Sequence, residues 1–103
     1  MISMSTNDKD YDQRQLELMQ LQLDQFEAGT INLSHLITGL NALLASVQTL
    51  SKDWKEAFKS EWWTLEQVHA VALDRKKTAL SSEDDLLIKG AISHLRTLIA
   101  SPR

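Results

Sequence analysis

Residues 33–50 read LSHLITGLNALLASVQTL. Leu33, Leu36, Ile37, Leu40, Leu43, Leu44, Val47 and Leu50 recur at steps of three and four, which is one face of an α-helix. Asn32, just before the first leucine, has the side chain that caps a helix N-terminus. The stripe therefore predicts a helix over about 32–50. No charged residue falls between Glu27 and Lys52, so the opposite face carries Ser34, His35, Thr38, Asn41, Ala42, Ala45, Ser46 and Thr49. A helix without charges is expected at the centre of a bundle, packed on more than one side. The alternative is a small polar face that meets a partner.

The same periodicity extends in both directions. Upstream, Leu16, Met19, Leu23 and Phe26 predict a helix over about 12–28, stopped by Gly29 in the left-handed conformation common just past a helix end. Residues 1–10 are small and polar and read as a flexible tail. Downstream, Ser51 or Asp53 opens a third helix over about 53–76. Its apolar face holds Trp54, Ala57, Phe58, Trp62, Leu65, Val68, His69 and Ala72. Residues 77–82 form a connection. A last helix over about 83–100, capped by Ser81 or Ser82, presents Leu87, Ala91, Leu95 and Leu98, flanked by Ile88, Ile92 and Ile99. No segment alternates with period two and no hairpin signal occurs. The expected fold is all-α, an antiparallel bundle of about four helices, with residues 11–103 as a single domain.

Composition removes several function classes. The chain of 103 residues has no Cys, so disulfides, thiolate metal sites and cysteine nucleophiles are excluded. The first residues show no basic segment followed by an apolar run, and residues 36–50 are too short and too polar to span a bilayer. A cytoplasmic protein is expected. The formal charge of −3 is uneven: residues 1–50 hold six acids and two bases, residues 51–103 eight acids and nine bases. An acidic half repels phosphate backbones and attracts basic surfaces. The last helix begins with Glu83, Asp84 and Asp85 and offers only Lys89 and Arg96, poor chemistry for a DNA-reading helix.

Catalytic patterns are missing. There is no Gly-flanked serine turn and no Gly-rich phosphate loop. Glu66 and His69 have the E-x-x-H spacing of carboxylate-bridged metal bundles, but that site needs a second pair, and neither His35 nor His94 has a glutamate three residues before it. No metal, cofactor or catalytic activity is expected.

The pair Trp62-Trp63 poses a question of its own. With Trp54 as the zero of a helical wheel, Trp62 falls at about 80°, inside the apolar stripe, and Trp63 at about 180°, beside Glu56, Lys59 and Gln67. A continuous helix turns Trp63 outward, where an exposed tryptophan among charges favours a protein partner. A bend at Ser60–Glu61 would instead turn both rings inward. Glu61 falls inside the apolar stripe, so either the helix bends or a polar group such as a His holds the carboxylate. In the first helix, Asp10, Gln13, Glu17, Gln20 and Asp24 line one side, with Leu18 and Leu21 outside both that ridge and the core stripe. Such a ridge could dock a basic protein.

The order of these segments resembles a known family. An acidic helix ends in Glu27-Ala-Gly29, followed by Thr-Ile-Asn-Leu and a leucine-rich helix, then Asp53-Trp-Lys-Glu-Ala-Phe58 and Glu61-Trp-Trp-Thr-Leu-Glu66 running into His69-Ala70. Over about residues 16–99 the chain resembles the small all-helical immunity proteins of bacterial contact-dependent growth inhibition and other polymorphic toxin systems. The resemblance implies a cytoplasmic inhibitor that binds a cognate toxin domain one to one, a nuclease with a basic cleft, and occludes its active site. The partner-binding candidates are Asp10, Glu17, Leu18, Leu21, Asp24 and Trp63, with Glu66 from the helix 3 pattern. The rival reading is a helical adaptor, secretion chaperone or self-associating scaffold that uses the uncharged face of the second helix as a homodimer seam.

Overall fold

The computed structural model describes residues 4–74 and 81–102. It is an all-α, antiparallel four-helix bundle: α1 Met4–Glu27, α2 Leu33–Ser46, α3 Lys52–Asp74 and α4 Ser82–Ala100. Among the described residues there is no strand. α1 packs on α2 and α4, and α3 packs on α2 and α4, while among the described residues the backbones of the diagonal pairs do not approach closely. The helices therefore stand in a ring, in chain order, around one core. Met19, Leu23, Leu36, Leu40, Phe58, Leu65, Ile88 and Leu95 are fully enclosed in it. Burying each such side chain stabilises the fold by roughly 1.5–3 kcal/mol before the entropy of ordering is counted.

Local signals set most helix ends. The Asn32 side chain accepts the His35 amide at 2.8 Å, and Gly29 adopts φ 82° after α1. Of the two serines offered before α4, Ser81 is the cap. Its hydroxyl accepts the Asp84 amide, and the Asp84 carboxylate accepts the Ser81 amide in return. Ser51 caps α3, accepting the Trp54 amide at 3.1 Å.

Four expectations need correction. Residues 4–10 are helical and belong to α1, which starts well before residue 12; only residues 1–3 of the expected tail lie outside the described residues. α2 ends at Ser46 instead of residue 50. The amides of Gln48 and Thr49 donate at 2.8 and 2.6 Å to the carboxylate of Asp12 on α1, which draws them away from the helical ladder. α2 is not packed on more than one side: Ser34, His35, Thr38, Asn41, Ala42 and Ala45 are exposed, and one stripe alone is buried. On α4 the core stripe is Ile88, Ala91, Ile92, Leu95 and Ile99, which turns Leu87 out to 54% exposure. The end of α3 expected near residue 76 and the connection at 77–82 fall largely outside the described residues.

α3 runs unbroken through Ser60. Its two buried tryptophans tie it to both neighbours. The Trp54 indole N–H donates to the Leu98 carbonyl of α4 and that of Trp62 to the Ile37 carbonyl of α2, each at 2.8 Å. Trp54 also stacks on Phe58 with ring centroids 5.3 Å apart.

One glycine lies in a helix interior with no reason to be glycine. A Cβ added at Gly90 of α4 would meet nothing within 4 Å. Gly90→Ala is expected to stabilise the protein by about 0.5–1 kcal/mol, raising the thermal midpoint by several degrees. An unchanged melting curve would show that the site is constrained in some other way.

Candidate protein-binding surfaces

The sequence candidates divide between two sides of the ring. On the α1–α4 side, Arg96 of α4 gathers the acidic ridge. Its Nη1 donates to Gln20 Oε1 at 2.7 Å, and its Nη2 donates to Glu27 Oε1 and forms an ion pair with Asp24 Oδ1 at 2.9 Å. Partial burial acts to lower the Arg96 pKa, but the carboxylates of Glu27 and Asp24 outweigh it and raise the value. Asp24 and Gln20 thus tie α1 to α4, a structural use of two ridge residues. Asp10 and Glu17 remain exposed, and among the described residues neither has an ion-pair partner. Leu18 and Leu21 stand on the outer face of α1, 44% and 48% exposed.

On the α2–α3 side lies an open groove of about 690 Å³. Leu44 and Ala45 of α2 contribute apolar lining, while Lys52, Lys55, Lys59 and Trp63 line it from α3. Trp63 is 52% exposed while Trp62, one residue earlier, is 8% exposed and hydrogen-bonded inside. The two rings sit 6.4 Å apart at a tilt of 41°. The second tryptophan therefore faces the groove, as a continuous helix demands. The Lys59 ammonium lies 5.5 Å from the Trp62 ring centroid, a cation–π contact that steadies its charge at the groove. Glu56 is the single acid in the lining, so the groove has a net charge of +2. Glu66, half-buried, is not part of the lining.

The sequence reading placed Lys59 beside Trp63 but missed Lys52 and Lys55, although their signal was present. Lys52, Lys55 and Lys59 fall within about 80° of Trp63 on the helical wheel. What the sequence did not contain was which surface of α2 would lie beside them.

No protein-family model, curated protein or solved structure matches this chain.

Glu61 is held without a bend, its Oε1 3.2 Å from His94 Nδ1 across the α3–α4 interface. Among the described residues no three His, Asp or Glu side chains converge as a metal site would require, and no helix is long and apolar enough to cross a membrane.

Proposed function

We propose that this chain works by binding another protein, and that it does so as an immunity protein neutralising a toxin domain. The observation that carries the binding role is Trp63: a large aromatic ring half in solvent, on an open groove with apolar residues in its lining. Such rings dominate binding energy where a partner excludes water around them. The toxin as partner comes from the helix 3 pattern of Trp54, Phe58, Trp62, Leu65, Glu66 and Ala70. A basic nuclease cleft does not suit the groove, because its lysines would oppose it. Such a cleft would be met by Asp10 and Glu17 on α1, with Leu18 and Leu21 beside them.

A second reading has its own support. The acidic face of α1 and the lysine-lined groove lie on different sides of the ring and carry opposite charge. Each could meet a partner of its own, so an adaptor joining two proteins is the alternative function.

Purification of the tagged chain from its native cell tests these readings. A toxin-domain fragment at equal stoichiometry, lost with Trp63→Ala, is the expected result. Recovery of a second copy alone, or of nothing, overturns the immunity reading. A toxin fragment retained by Trp63→Ala and lost by Glu17→Lys moves the docking surface to α1.

A further inference from the structure

The groove beside Trp63 has chemistry that narrows what can sit in it. We infer that its occupant is an acidic amphipathic helix of a partner protein, about three turns long, with one apolar face toward Leu44, Ala45 and Trp63. This rests on the reading of the groove as the docking surface and adds the chemistry of what docks there.

Length comes first. From Lys52 to Trp63 the lining follows α3 for eleven residue steps, about 16 Å at the helical rise. A helix of about eleven residues matches that span. Backbone chemistry comes next. The lining consists of side chains on two regular helices, whose amides and carbonyls are paired within their own ladders except in the last turn of α2 and the first of α3. An extended segment would find no continuous row of backbone partners along the groove, whereas a helix satisfies its own. Ala45 and Ser60 are small, which lets a third helix approach closely. Charge decides the last property. Three lysines against one glutamate, all on α3, make that wall of the groove a positive rim beside the apolar Leu44, Ala45 and Trp63. Lys52 has only an exposed, long contact of 3.9 Å with Glu56 one turn on. Lys59 lies over the face of Trp62 and, among the described residues, pairs with no carboxylate. Carboxylates flanking the apolar face of an incoming helix would pair with this rim, while lysines in the same positions would be repelled.

The test uses the isotope-labelled full chain and two helix-forming peptides of about eleven residues. Both carry leucines at i, i+3 and i+7; one is flanked by glutamates and the other by lysines. The expected result is amide shift changes confined to the groove stretches of α2 and α3 with the glutamate peptide, weakened by salt, and none with the lysine peptide. Lys52→Glu combined with Lys59→Glu, both at exposed positions, should weaken the glutamate peptide about tenfold and admit the lysine peptide. The double variant should keep the helical signal of the parent. Equal binding of the two peptides, or none, overturns the inference. Groove shifts that depend on the concentration of the chain alone overturn it in favour of a second copy as occupant. A native partner that needs Trp63 but ignores the double charge reversal would leave the docking surface in place and remove the acidic helix from it.

Discussion

Trp62→Ala should cost about 3–5 kcal/mol of stability, while Trp63→Ala, its neighbour in sequence, should change stability by no more than about 0.5 kcal/mol. The two residues share a helix and a side-chain type, so the contrast isolates environment. Trp62 is buried between α3 and α2. Truncating it removes apolar contact, leaves a cavity and deletes the 2.8 Å hydrogen bond from its indole to the Ile37 carbonyl. Trp63 loses only the contacts of its inner edge. Urea unfolding of both variants measures the difference as a shift in midpoint at constant slope. A loss of several kcal/mol is a large share of the stability of a small domain, and Trp62→Ala could fail to fold. Trp62→Phe then serves, with an expected cost of about 1–2 kcal/mol from the lost hydrogen bond and smaller ring. Equal costs for the two tryptophans would make Trp63 a core residue and withdraw the groove as a binding surface.

That contrast was legible in the sequence because helical periodicity assigns each side chain a direction. The same logic exposed Leu18 and Leu21 and buried Leu16, Met19 and Leu23. The cap at Asn32 was legible too, and that of α4 was narrowed to Ser81 or Ser82, since a capping side chain and its amide lie within three residues. Features depending on residues far apart in sequence were hidden. Asp24 reads as a free acid until Arg96 is brought to it from α4. The last helix has more apolar residues than its core face needs, so α3 decides that Ile88 packs inward and Leu87 outward. The groove required Leu44 and Ala45 to meet the lysines of α3, which only the packing of two helices determines. α2 reads as helical to Leu50 because its leucines keep their spacing, and nothing nearby announces that Asp12 interrupts it.

Asp12→Ala should therefore destabilise the protein by about 2–4 kcal/mol, more than a change at any of the exposed acids. Asp12 is the one buried ionisable side chain among the described residues, only 3% exposed. Its Oδ1 accepts the Gln48 amide at 2.8 Å, and its Oδ2 accepts both the amide and the hydroxyl of Thr49 at 2.6 Å. Removing the carboxylate leaves three donors without an acceptor at the point where α2 must stop and turn toward α3. Acid should expose the same dependence. Burial acts to raise the Asp12 pKa, but the Thr49 and Gln48 hydrogen bonds, with help from the charge of Lys55, prevail and hold it below the ordinary 3.8. The unfolded chain then binds a proton that the folded chain does not, across the interval between the two values. The contribution of Asp12 is thus fully present above about pH 4–5 and is lost as pH falls through the lowered value. Asp12→Asn cannot titrate there, so the stability gap between it and the parent should hold from neutral pH down to about pH 5 and then narrow toward about pH 2. Urea unfolding across that range measures the gap directly. A gap that stays constant would mean that the carboxylate is not held ionised by Gln48 and Thr49, and that the end of α2 has another cause.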